Sequence, residues 1–130
     1  MNFPDDLKYT KEHEWILFND DHTALVGITE FAVDQLGDIV HVDFPAEGDE
    51  IDAGDAFGTV ESTKAVSDLY LPISGRVAGL NRKLTDNPEV IQTDPYGKGW
   101  IIKIDYDEGA DSDPELLTAA EYEAFIAEED

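Results

Sequence analysis

Lys64 stands at the centre of residues 58–75, where two strand-like runs meet at a short polar tip. Phe57 and Val60 before the tip, and Val66, Leu69 and Leu71 after it, have the half-buried spacing of strands, while Glu61, Ser62 and Thr63 lead into the lysine. The pattern predicts a hairpin that holds one primary amine in solvent on a rigid mount. Gly54 and Gly58 on one side and Gly75 on the other make the segment read as two similar halves folded about the lysine, an arrangement suited to a swinging-arm carrier. A Schiff-base nucleophile would instead need the lysine desolvated or set beside another cation, and the neighbours here are polar and acidic. Spacing alone does not separate these readings from an ordinary exposed hairpin lysine. The longer motif around it does.

The flanking chain has to supply the scaffold. Residues 13–18 and 23–28 surround the turn-rich gap Asn19-Asp20-Asp21-His22 and predict a hairpin that begins a sheet. Residues 29–37 predict a short helix: Thr29 can cap its first N–H groups, Glu30 suits its positive end and Gly37 can end it. In residues 39–44, Val40, Val42 and Phe44 alternate with His41 and Asp43, a half-buried strand stopped by Pro45. Residues 47–50 turn toward the lysine hairpin. Beyond it, residues 76–80 predict a strand, and residues 82–94 a surface connection in which Pro88 and the following Pro95 discourage continuous structure. Residues 99–104 resume a strand with Trp100, Ile102 and Ile104 on one core-facing side. Residues 109–114 form a natural boundary. After them Leu116, Leu117, Ala120, Tyr122, Phe125 and Ile126 make the apolar stripe of a terminal helix, with Thr118 and Glu121 at capping-box spacing.

The 130 residues suffice for one compact domain, 1–130, and are short for two. Apolar residues make up 42% of the chain, yet no apolar stretch approaches the roughly 20 residues of a membrane helix. Residues 1–6 lack the features of a secretory or transit segment, so the expected location is the cytoplasm. There are no cysteines, so disulfides, thiolate metal sites and a cysteine nucleophile are excluded, and any sulfur chemistry must arrive on a cofactor. His13, His22 and His41 have no consistent metal spacing and read as two surface residues and one sheet histidine. With 31 acidic against 8 basic residues, the net charge of −23 repels nucleic acid and anionic membranes. The acids are dispersed like a solvated surface, and halophilic adaptation is the expected explanation. A merely acidic carrier is the rival.

Val60-Glu61-Ser62-Thr63-Lys64-Ala65, Ser67-Asp68 and Pro72-Ile73-Ser74-Gly75 resemble the lipoylation site of the glycine cleavage system H proteins. The resemblance continues through Leu7-Lys8-Tyr9-Thr10-Lys11-Glu12-His13-Glu14-Trp15, Val26-Gly27-Ile28-Thr29-Glu30-Phe31-Ala32, Leu36-Gly37-Asp38-Ile39-Val40, Asn87-Pro88-Glu89-Val90-Ile91 and Asp94-Pro95-Tyr96-Gly97-Lys98-Gly99-Trp100, nearly the entire chain. It implies a mainly β fold, a lipoyl/biotinyl-domain-like β-sandwich (barrel-sandwich hybrid) with a short helix in the N-terminal half and a C-terminal helix. It also implies a non-catalytic carrier, monomeric when free, whose Lys64 bears lipoate in amide linkage. In the family's cycle a pyridoxal-phosphate glycine decarboxylase loads an aminomethyl group on the lipoyl arm. A tetrahydrofolate-dependent aminomethyltransferase unloads it, and dihydrolipoyl dehydrogenase reoxidises the arm. A lipoate-attaching enzyme is the fourth implied partner, and Glu61 and Ser62 are expected to serve its recognition. By position, Glu14 and Asp68 match the polar groups of the cleft that shelters the loaded arm, and carboxylates there could hold its cationic end by charge-assisted hydrogen bonds. Glu12 and Gln35 depart from the serine and histidine of some family members.

Three relatives of the same chemistry compete. A biotinyl carrier's lysine usually lies between methionines, whereas Thr63 and Ala65 flank this one. The lipoyl domains of 2-oxo acid dehydrogenase acyltransferases are shorter, are joined by linkers to a catalytic domain, and lack the His13-Glu14-Trp15 hairpin and the final helix. A lipoate-relay protein that donates its lipoyl group to other acceptors would carry the same residues.

Overall fold

The computed structural model describes residues 2–107, 109 and 115–129. Among these residues nine strands form two antiparallel sheets. The larger has the order β1 (Lys8–Tyr9), β2 (Glu14–Phe18), β3 (Thr23–Ile28), β9 (Ile102–Asp105), β8 (Gly75–Leu80), β5 (Glu50–Ile51), and the smaller β4 (Ile39–Asp43), β6 (Ala56–Ser62), β7 (Val66–Tyr70). Their facing sides enclose the main core, in which Ile16, Val26, Val42, Val60, Leu69 and Ile104 are buried. The result is the expected mainly β sandwich, with helix α1 (Glu30–Leu36) and a C-terminal helix α4 (Ala119–Glu129) added to it.

Local chemistry explains the expected elements. In α1, the Thr29 hydroxyl accepts from the Ala32 N–H at 3.2 Å, and Gly37 ends the helix at φ +82°, a conformation that favours glycine. At the start of α4, the Glu121 N–H donates to the Thr118 hydroxyl at 3.2 Å while the Thr118 N–H donates to the Glu121 carboxylate at 2.9 Å. That reciprocal pair is the anticipated capping box.

The outer side of β2 and β3 carries a second cluster. Tyr9, Trp15 and Phe31 pack there against Ala119, Tyr122 and Ile126 of α4. Strand β2 is therefore covered on both faces, which alternation alone does not predict.

The structure corrects five expectations. A bulge between Ile39 and His41 turns Ile39 and Val42 inward and leaves Val40 47% exposed, because the extra residue reverses the alternation. Strand β9 starts at Ile102, so Trp100 lies outside it and packs with the second cluster, away from the core that holds Ile102 and Ile104. Residues 82–94 are not a surface crossing: single-turn helices α2 (Lys83–Asp86) and α3 (Val90–Thr93) drive Leu84 and Ile91 into the main core. In α4 it is Ala119, rather than the exposed Ala120, that faces the sheet, since the helix begins only after the Tyr9–Leu117 bridge. Val66, expected to be half-buried, is 64% exposed. The anticipated boundary at residues 109–114 lies, apart from Gly109, outside the described residues.

Candidate functional site

Strands β6 and β7 pair antiparallel, with Glu61 opposite Val66, and turn through Thr63, Lys64 and Ala65. Ser62 builds this turn. Its N–H donates to the Ala65 carbonyl at 2.8 Å, and its buried hydroxyl accepts from the Lys64 N–H at 3.3 Å and the Ala65 N–H at 3.1 Å. A second tether crosses to the α1–β4 junction, where the Thr63 N–H donates to the Asp38 carbonyl at 3.0 Å. The exposed Lys64 side chain passes over the glycine that ends α1: a Cβ placed on Gly37 would lie 3.5 Å from its Cε and 3.9 Å from its Nζ. The backbone beneath the amine is thus fixed at several points while the amine itself stays in solvent.

Beside the tip opens a cleft of about 810 Å³, walled by α1, by the turn that precedes β2 and by β7. Strand β7 is an edge of the smaller sheet, so its outward N–H groups have no strand partner. One of them, on Tyr70, donates to Glu14 Oε2 at 2.6 Å. Glu14 is 1% exposed, and its other oxygen, Oε1, has no hydrogen-bond partner among the described residues. Burial pushes the Glu14 carboxyl well above the usual glutamate range; the Tyr70 N–H opposes the rise and the nearby Glu12 charge adds to it. Glu12, Gln35, Val66 and Asp68 also line the cleft, which includes no Lys or Arg. Its acidic side chains, Glu12, Glu14 and Asp68, give an arrangement that favours a cation over an anion.

The structure brings Glu14 and Asp68 into one cavity, together with Glu12 and Gln35. Glu61 lies exposed on the hairpin between His41 and Val66, whereas Ser62 is turned inward. His41 sits on β4, with Nε2 2.9 Å from Asp43, and His22 is an exposed turn residue at φ 63°. His13 is neither a surface residue nor a strand residue. It is half-buried in a left-handed turn at φ 69°, and its Nδ1 lies 2.8 Å from the Tyr122 hydroxyl. The exposed Val66 and the Tyr122 contact were not read from the sequence. The two apolar runs around Lys64 carry no signal for the first, and the second joins residues 109 positions apart.

The family model described as Glycine cleavage H-protein matches residues 7–129. The chain belongs to that family. It is 51% identical over 126 residues to the glycine cleavage system H protein of Carboxydothermus hydrogenoformans, covering 97% of this chain and 95% of that one. It is 53% identical over 127 residues to the H protein of Symbiobacterium thermophilum, covering 98% of each. The crystal structure of an H protein from Mycobacterium marinum superposes with a TM-score of 0.88 at 42% identity, over 96% of this chain and 99% of the other. The chain is therefore the lipoyl-carrying shuttle of the glycine cleavage system, a carrier subunit that works with the system's other components.

Proposed function

We propose that residues 1–130 act as one lipoyl-carrier domain, with lipoate attached through an amide to Lys64 and with the cleft beside it receiving the far end of the arm when that end is cationic. The observation that carries this reading is Glu14: a buried carboxyl with one unpartnered oxygen in a cleft that opens beside an exposed lysine. An unsatisfied buried acceptor costs about 1–3 kcal/mol, and an ammonium group brought into the cleft removes that cost. When bound, lipoate supplies the two sulfurs that a cysteine-free chain lacks.

Each residue then has a defined task. Glu14 accepts a hydrogen bond from the incoming ammonium while the Tyr70 N–H keeps its other oxygen in place. Asp68, on the rim, adds a second negative charge without the cost of burial. Phe31, Leu36 and Val66 give the rest of the cleft an apolar lining that excludes water from the carbon chain. Ser62 shapes the turn that presents Lys64, and the exposed Glu61 offers a charge to the lipoate-attaching enzyme. The partners are a pyridoxal-phosphate glycine decarboxylase, a tetrahydrofolate-dependent aminomethyltransferase and dihydrolipoyl dehydrogenase, the chain itself being non-catalytic, cytoplasmic and monomeric when free. The acidic surface is a halophilic adaptation.

Intact-mass measurement after co-expression with a lipoate ligase tests the assignment. One lipoyl mass is expected on the parent chain and none on Lys64→Arg, whose fold should be unchanged. A lipoyl adduct on the arginine variant, or a biotinyl mass on the parent, overturns it.

A further inference from the structure

The two walls of the cleft meet at one buried hydroxyl. Tyr122, on α4, is fully buried and stacked on Tyr9 with ring centroids 4.9 Å apart. Its hydroxyl lies 2.8 Å from His13 Nδ1 and 2.8 Å from Thr29 Oγ1. His13 immediately precedes Glu14, and Thr29 caps the helix that forms the opposite wall. The two partners also touch each other, the Thr29 N–H donating to the His13 carbonyl at 3.0 Å. A tyrosine hydroxyl has one proton and an oxygen that accepts, so it can donate to at most one of these neighbours and can accept from the other. In either direction Thr29 Oγ1 retains a lone pair for the Ala32 N–H, and the cap survives.

We infer that the Tyr122 hydroxyl is a positioning group for the cleft, holding the Glu14 turn and helix α1 at the separation the arm requires. The inference rests on the reading of the cleft given above, and three further features support it. His13 is held at φ 69°, a left-handed conformation that is unfavourable for a non-glycine residue and persists only where its surroundings impose it. The same turn delivers Glu14, since the Thr10 N–H donates to the Glu14 carbonyl at 2.9 Å and the Glu14 N–H to Thr10 Oγ1 at 3.2 Å. Helix α1 has only seven residues, about 10 Å at 1.5 Å per residue, and its far end abuts Thr63 and Lys64. A displacement at Thr29 is therefore passed along a short strut to the lysine. The C-terminal helix, whose residues are not among those lining the cleft, thus bears on its width through the Tyr122 hydroxyl in addition to the ring packing of Phe125 on His13 and of Tyr122 near Phe31.

Tyr122→Phe keeps the ring and its packing and removes only the hydroxyl. Ile126→Val loosens the same helix without touching it, and Thr29→Ser retains the cap and the bond. In the unmodified chain, amide hydrogen exchange should rise for both Ala32 and Glu14 in Tyr122→Phe, by about three- to tenfold for the loss of ordinary hydrogen bonds. The His13 Nδ1 resonance should shift in the same variant. Ile126→Val and Thr29→Ser should leave both readouts at parent values. In the lipoylated, loaded protein, Tyr122→Phe should then shorten arm retention by a comparable factor. Unchanged exchange and an unmoved His13 resonance in Tyr122→Phe overturn the inference, as does their reproduction by Ile126→Val. Arm retention unaffected by Glu14→Gln would instead overturn the cleft reading and leave the exchange result in the unmodified chain standing.

Discussion

Glu14 is the residue at which stability and function oppose each other. Burial holds its folded-state carboxyl above the ordinary glutamate value, so over an interval of pH the folded chain keeps a proton that the unfolded chain has released. Its contribution to stability is therefore present below the unfolded value of about 4.3 and is lost as pH rises through the folded one. Glu14→Gln keeps an acceptor for the Tyr70 N–H and removes the titration. Urea midpoints should place the variant above the parent at pH 7.5, by about 1–3 kcal/mol, and bring the two together near pH 3.5. The same substitution should weaken retention of a cationic arm. A variant no more stable than its parent at pH 7.5 would show that water already satisfies Oε1. Gly27 is fixed by packing: a Cβ there would come within 2.7 Å of three atoms of the buried Trp15 indole. Gly27→Ala should lower the melting temperature, since overpacking a core typically costs about 1–3 kcal/mol.

Among the elements, α4 has the most to test. It attaches through its buried Tyr122 and Ile126 and through the capping box at Thr118. Ending the chain after Leu117 should destabilise it by roughly 1.5–3 kcal/mol for each fully covered side chain removed. Thr118→Ala should cost about 1 kcal/mol, chiefly by fraying the first turn. Thermal melts of the two variants separate docking from capping, and an unchanged melting temperature in the truncated chain would mean that the sandwich does not use the helix. The lysine hairpin depends instead on short-range bonds. Ser62→Ala should leave the melting temperature nearly unchanged and slow lipoyl attachment, because its hydroxyl orders the tip more than it supports the core.

At the scale of the whole molecule, charge dominates. The net charge of −23 already includes the arginines, of which Arg76 and Arg82 form ion pairs with Asp105 and Glu47 at the surface, where such pairs contribute little. Self-repulsion penalises the compact state more than the expanded one. Its reach falls from roughly 30 Å at 0.01 M salt to about 3 Å at 1 M. Melting temperature should therefore climb with ionic strength and level off near molar salt, equally in sodium and potassium chloride. Continued gains, or a strong preference between the cations, would point to hydration or bound ions in place of screening. Equal melting temperatures in 0.05 M and 2 M salt would end the halophilic reading and assign the acidic surface to partner recognition.

Much of this molecule is written in short-range chemistry. The hairpin that carries Lys64, the β2–β3 pair, the Thr29 and Gly37 ends of α1 and the Thr118–Glu121 box depend on residues a few positions apart, and alternation or cap chemistry reveals each from sequence alone. The family resemblance, read from the motifs around Lys64 and His13-Glu14-Trp15, agrees with the matched family. What the tertiary structure decided involves pairing and burial. Composition does not encode the bulge that exposes Val40, the chain path that carries Trp100 to the second cluster, or the inward turn of Leu84 and Ile91. Glu14 was legible as a carboxylate in a suggestive place, but not as a buried one with an empty oxygen. That state depends on the packed fold, in which β7, 56 residues away, brings the Tyr70 N–H to one oxygen while the other has no partner among the described residues. The Tyr122 hydroxyl joins Thr29 and His13 across 93 and 109 residues, and no local pattern reaches that far. Periodicity reports which face of an element is apolar; only the packed fold determines which polar atoms meet inside it.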